Sequence, residues 1–306
     1  MKRIKLGIGP IGWANDDLRE WGPERQGDDI MREIAQAGYE GSEMSYKYPQ
    51  DPFDLRDSLE GHGLVLASAY RWTNFIYPER RDEEIAAARK HVDFCADGGA
   101  QHVLMAEGSK SLHWDANGSR THVEPFSADE WKRVCEAFNE MGQYAQSKGL
   151  QLSIHPHGGT AIEDGEEIAR LLNGTDAALV GYCLDTGHAN YGGSDPVALV
   201  KKWGKRIRYA HLKDVRPAVL AEVQEKGKTF LEAIQHDVFG TPGQGHLDFQ
   251  AILDALMGVD YEGWLVIEAD QNPATHPALQ VATEAHQRLR AWLGQKAPVS
   301  PSRSRV

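Results

Sequence analysis

Residues 179–193 read LVGYCLDTGHANYGG. An apolar run of strand length closes on Asp185, and His188 follows three residues later in a segment bounded by glycines. Taken alone, an Asp after an apolar run is a turn former. Its meaning depends on whether the same pattern of a short apolar run with a polar terminus recurs elsewhere.

It recurs along the whole chain. Eight candidate strands stand out: IKLGIG (4–9), YEGSEM (39–44), LVLASAY (64–70), HVLMAE (102–107), LQLSIH (150–155), LVGYCLD (179–185), IRYAHL (207–212) and WLVIEA (264–269). Helical periodicity lies between them. In 127–148, Trp131, Val134, Cys135, Phe138, Met141 and Ala145 recur at steps of three and four, after the capping box Ser127-x-x-Glu130 and before Gly149. Strands that alternate with helices pair in parallel, because each helix returns the chain to the same end of the sheet. Eight such units predict an α/β chain folded as a single-domain (β/α)8 TIM barrel over 1–294, with a flexible tail over 295–306. Two βα connections, 108–126 and 213–246, are enlarged and are expected above the C-terminal face.

Composition narrows the function. Hydrophobic residues at 41%, charged residues at 25% and the lack of a long apolar run predict a soluble cytoplasmic protein with no membrane partner. A formal net charge of -12 repels phosphate backbones and argues against nucleic acid. Cys95, Cys135 and Cys183 have no metal-type spacing and read as structural thiols. Gly7-Ile8-Gly9-Pro10-Ile11-Gly12 matches a dinucleotide fingerprint, but the polar stretch WANDDLREWGP follows where a helix should open. A turn at the barrel mouth is the better reading.

In a barrel, the C-terminal strand ends face a common site. Asp185, His211 and Glu268 close three consecutive candidate strands, and neighbouring strands lie about 4.8 Å apart. A carboxylate and imidazole shell without thiolate favours Mn²⁺, Mg²⁺ or Co²⁺ over structural zinc. The fifth strand adds His155 and His157, two apart and therefore on one side of an extended segment. Glu163 follows a Gly-Gly loop that could return it to the mouth, although with Glu166 and Glu167 it also fits the acidic first turn of a helix.

The segments GPIGWANDD, GSEMSYKYP, HPHGGTAIE, LDTGHANYGG, HLKDVRP, GTPGQGHLDF and GWLVIEADQNP carry a resemblance. The chain resembles the xylose-isomerase-like superfamily of metal-dependent barrels, and within it the inosose dehydratase family. The resemblance implies removal of water from 2-keto-myo-inositol, a cyclic keto-polyol, through an enediolate. It implies a divalent ion, Mn²⁺, Co²⁺ or Mg²⁺, with glutathione as an associated cofactor, and it is compatible with a homo-oligomer. Asp185, His211 and Glu268 would hold the ion, with either His155 or Glu163 completing the set and Glu163 slightly preferred. His155, His157 and Lys213 are the candidate catalytic groups, with Glu163 also able to relay a proton. Trp13, Asn15, Lys47, His188 and Arg216 are candidate substrate contacts, and Asp214 would orient the site or pair with Lys213. Alternatives with the same ingredients are a ketose isomerase or epimerase, an abasic-site endonuclease, and a non-catalytic polyol-binding barrel.

Overall fold

The computed structural model describes residues 4–114 and 123–294. The expected tail over 295–306 and part of the connection 108–126 lie outside the described residues. The strands are β1 (Ile4–Ile8), β2 (Gly41–Ser42), β3 (Val65–Leu66), β4 (Tyr70–Thr73), β5 (His102–Glu107), β6 (Gln151–Ile154), β7 (Val180–Asp185), β8 (Ile207–Leu212), β9 (Asp214–Val215), β10 (Phe239–Gly240) and β11 (Gly263–Ile267). The main sheet runs β3-β2-β1-β11-β8-β7-β6-β5-β4, and every pairing in it is parallel.

Its two end strands are the halves of one expected strand, 64–70, displaced toward its C-terminal side. β3 pairs with β2 and β4 pairs with β5. The intervening Ala67 and Ala69 continue the ladder to either side, Ala67 donating to the Ser42 carbonyl and Ala69 accepting from the Leu104 amide. The sheet therefore closes into a barrel of eight strand positions. The remaining pair, β9 and β10, forms a short antiparallel ribbon in the long connection after β8.

Helices form where the periodicity predicts them. Ala128–Ser147 starts on the reciprocal Ser127–Glu130 capping box, and its residues Trp131, Val134, Phe138, Met141 and Ala145 are buried. The GIGPIG segment opens only a single 3-10 turn, Pro10–Gly12, and the next helix begins at Gly27. That geometry leaves no helix N-terminus to receive a pyrophosphate.

Side-chain parity divides the strands into two cores. Leu6, Ile8, Val103, Met105, Leu152, Ile154, Leu184, Ala210, Leu265 and Ile267 belong to the large cluster packed against the helices. Ala67, Leu104, Cys183, Tyr209, Trp264 and Val266 form a separate cluster that fills the barrel centre. Gly7 and Gly41 make room for Trp264: a Cβ at Gly41 would stand 2.6 Å from its Cη2, and one at Gly7 3.2 Å from its Cε3. The glycine pattern of β1 thus serves packing. Among the described residues no helix is long and apolar enough to cross a membrane.

Candidate metal and proton-transfer site

The inward parity that fills the barrel centre continues upward into polar residues. Cys183 leads to Asp185, Tyr209 to His211 and Lys213, Trp264 and Val266 to Glu268, Ser153 to His155, and Gly41 to Glu43. Glu43, His155, His211, Lys213 and Glu268 line one cavity of about 420 Å³. A period of two, applied to parallel strands in register, aims the groups at one point.

Four of them converge. His155, Asp185, His211 and Glu268 each offer one ligand atom, all within 4.8 Å of one another. His211 Nδ1 lies 3.2 Å from His155 Nε2, 3.5 Å from Asp185 Oδ2 and 3.4 Å from Glu268 Oε2. Lys213, fully buried, places Nζ 2.8 Å from Asp270 Oδ2 and 3.0 Å from Glu268 Oε2.

The charges are strongly interdependent. Burial alone would drive the protons off His211, but Glu43, Cys183, Glu268 and Asp185 outweigh it and hold the imidazole well above its ordinary value. Burial likewise opposes ionisation of Asp185, yet His188, Lys213, His155 and His211 keep it well below the usual carboxylate range. Glu268 responds the other way: burial pushes it up to about 7 despite Lys213 and His211.

Beside the quartet, the backbone of one residue, Gly158, sets two histidines. His157 Nδ1 donates to the Gly158 carbonyl at 2.9 Å, while the Gly158 N–H donates to His188 Nδ1 at 3.2 Å. With burial keeping both rings neutral, His157 is left with a lone pair on Nε2 and His188 with a proton on Nε2. Lys213 Nζ stands 3.4 Å from His188 Nε2, but the shorter contact comes from a backbone N–H of fixed direction and sets the tautomer. The two rings lie 3.8 Å apart, centroid to centroid. A Cβ at residue 158 would lie 2.5 Å from the Phe230 ring, so glycine is required there.

Comparison with known proteins bears on the fold and the family. The family model for the xylose isomerase-like TIM barrel matches residues 31–292. An inosose dehydratase of Geobacillus thermodenitrificans (strain NG80-2) is 37% identical over 293 residues, 95% of this chain and 98% of that one. One from Bacillus thuringiensis (strain Al Hakam) is 36% identical over 292 residues, with the same two coverages. The chain belongs to the inosose dehydratase family. A solved D-psicose 3-epimerase shares the fold, with a TM-score of 0.72 at 16% identity over 95% of this chain and 99% of that one. Membership of the inosose dehydratase family makes the protein a dehydratase, a carbon-oxygen lyase of the hydro-lyase class.

The quartet of this inosose dehydratase family member fits a divalent ion. An ion with bonds of about 2.1 Å has ligand-to-ligand edges of roughly 3.0 to 3.4 Å, close to the spacings around His211 Nδ1. Glu268 Oε2 is buried without a hydrogen bond, although it lies near Lys213. The donor set, two imidazoles and two carboxylates, is compatible with a divalent metal ion.

Several expected members fall elsewhere. Glu163 does not reach the quartet: its Oε2 accepts from the Gly159 N–H, it sits beside Gly192, and it borders a separate groove with Glu167 and Tyr191. The short loop after Pro156 folds onto itself, so His155 takes the fourth place in the quartet and Glu163 does not. Trp13 is packing, with Nε1 donating to Glu33 at 2.6 Å and 1% of its surface exposed. Lys47 reaches away from the cavity to the Pro23 carbonyl. Arg216 ties down the β9–β10 ribbon through the carbonyls of Asp237 and Phe239. Asp214 does not pair with Lys213; its carboxylate accepts from the amides of Val215, Gly243, Gly245 and Leu247. Asn15 does line the cavity, where it donates to Asp270 and caps the amides of Asp17 and Leu18.

The structure adds residues that sequence reasoning passed over. Glu43 and Asp270 complete the charged floor, and Tyr70, Trp72 and Phe230 form an aromatic wall. Phe230 packs on His113, His157 and His188 at 4.7, 5.1 and 5.4 Å between ring centroids. Glu43 was visible as an acid at the end of the second strand. Phe230 comes from the helix Phe230–Gln235 in the long connection, and no local pattern announces where such a helix lands.

Proposed function

We propose that the protein removes water from 2-keto-myo-inositol, with a divalent ion, Mn²⁺ or Co²⁺, held by His155, Asp185, His211 and Glu268. The observation that carries this reading is the pairing of that quartet with two neutral histidines of opposite tautomer, in a chain similar to inosose dehydratases along its length. A divalent ion there supplies Lewis acidity toward a substrate carbonyl oxygen. The chain's own groups account for the proton movements.

His157 Nε2 is the base that takes the proton from the carbon α to the carbonyl. His188 Nε2–H is the acid that protonates the departing β-hydroxyl. The C–H electron pair becomes the new carbon–carbon double bond as the C–O bond breaks, and water leaves. Lys213, whose ammonium is fixed between Asp270 and Glu268, stabilises negative charge that develops on substrate oxygen. Tyr70, Trp72 and Phe230 exclude bulk water from that wall, where it would weaken these interactions.

The test is an assay of purified protein loaded with Mn²⁺ or Co²⁺, with and without glutathione, on 2-keto-myo-inositol. Growth of an enone-type ultraviolet absorbance together with a product lighter by one water is expected. Absence of that product, with ketoses epimerised instead, would overturn the dehydratase chemistry in favour of isomerisation.

A further inference from the structure

His211 has two ring nitrogens and two different neighbourhoods. Nδ1 faces His155, Asp185 and Glu268. Nε2 faces Glu43, 2.9 Å from its Oε1. The same oxygen also accepts from Ser68 Oγ at 2.7 Å and Tyr209 Oη at 2.9 Å. Three donors from two strand positions, β8 and the break between β3 and β4, therefore hold one carboxylate oxygen at the wall of the barrel.

Oε1 of Glu43 already accepts from the hydroxyls of Ser68 and Tyr209, which makes it the acceptor and the ring nitrogen that faces it the donor. With a proton held on Nε2 by Glu43, a ligating ring offers its lone pair from Nδ1, the nitrogen that faces the quartet. Without Glu43 the other tautomer becomes available, and it would aim an N–H at the ion. The close approach of the chain at Gly9, just after β1, preserves this arrangement, because a Cβ there would stand 3.2 Å from Glu268 Cγ and 3.5 Å from Glu43 Oε2.

We propose that Glu43 is a positioning residue for the metal centre: through Oε1 it fixes the tautomer and direction of His211, with Ser68 and Tyr209 holding it in place. This rests on the quartet being a metal site. Outer carboxylates that orient a ligating histidine typically change metal affinity by about 10- to 100-fold.

Calorimetric titration of the metal-free full-length protein with Co²⁺ and Mn²⁺, paired with the visible Co²⁺ spectrum, tests it. Glu43→Gln is expected to weaken binding about 10- to 100-fold and to shift the Co²⁺ bands. Ser68→Ala and Tyr209→Phe, each removing one donor that holds Glu43, are expected to weaken it by less than about 10-fold. A Glu43→Gln protein that folds and binds Co²⁺ as tightly as wild type, with unchanged bands, overturns the inference. If Glu43→Gln does not fold, unchanged affinity in both Ser68→Ala and Tyr209→Phe overturns it instead. A wild-type protein that binds neither ion removes the metal reading itself, and this inference falls with it.

Discussion

Glu107 and Glu268 are both acids at the end of a barrel strand, the first buried and the second half-buried, and both are pushed up to about 7 with desolvation as the largest cause. Their surroundings differ completely. Glu268 has the inward parity of Trp264 and Val266 and faces His211 and Lys213. Glu107 has the outward parity of Val103 and Met105, where it accepts from the amides of Phe75 and Ser109 and the hydroxyls of Thr73 and Ser109. One acid is a candidate ligand; the other ties loops together behind the barrel wall. A strand-end position alone does not make an acid functional, and a one-residue change of parity separates a site from a staple.

The sharpest way to break this distinction is to neutralise each acid in turn. Glu268→Gln is expected to lower kcat/KM by about 10³-fold, since a lost ligand costs several kcal/mol of charge stabilisation. Metal content measured on the same preparation should fall with it. Glu107→Gln should leave kcat/KM and metal content within about 3-fold of wild type, as expected of a group outside the cavity. Equal losses in the two variants would show that parity does not divide the acids by role.

The comparison also shows which parts of the molecule were legible in the sequence. Barrel class, strand count and the inward set Asp185, His211 and Glu268 followed from local apolar runs, because a strand carries its own period and its neighbours supply the register. The strand at 64–70 was placed too early, since its break at 67–69 reflects pairing to different neighbours on each side. Glu163, Trp13, Lys47 and Arg216 stand away from the quartet for one shared reason. Each belongs to a loop or strand exit, where side-chain direction is set by tertiary contacts that no local period encodes. Glu43 sat in plain view but needed the partner positions of Ser68, Tyr209 and His211 to acquire a role.

A second prediction concerns stability and pH. Glu107 moves from an ordinary 4.5 to about 7 on folding, so the folded chain binds this proton more tightly than the unfolded one. The sign follows: the group contributes most below pH 4.5, and its contribution is lost as pH rises to about 7. The loss is about 3 kcal/mol at roughly 1.4 kcal/mol per unit. Denaturant unfolding of wild type and Glu107→Gln at pH 5 and pH 8 reads it as a difference of differences. The variant should lack this part of the decline. Parallel pH profiles would mean that the four donors keep Glu107 ionised across the range.

The smallest expected effect lies in the long connection, the region farthest from strand logic. Asp214 holds it: Oδ2 accepts from the Gly243 and Gly245 amides, and Oδ1 from those of Val215 and Leu247. That clamp stands beside the β9–β10 pairing of Asp214 and Val215 with Gly240 and Phe239, and the Phe239 ring lies 4.9 Å from Lys213 Nζ and 5.6 Å from His188. Asp214→Asn, with its amide turned toward Gly243 and Gly245, replaces one doubly used acceptor by a donor. Gly243 and Gly245 are exposed, so water can replace the lost partner and each hydrogen bond costs only about 0.5 to 1.5 kcal/mol. Because none of this touches the quartet, metal affinity should remain at the wild-type value. KM should rise about 10-fold with kcat nearly unchanged, the signature of weakened substrate binding in ground and transition state alike. A fall in metal affinity in this variant would join the two regions into one cooperative unit, and the division between a strand-borne centre and a loop-borne wall would fail.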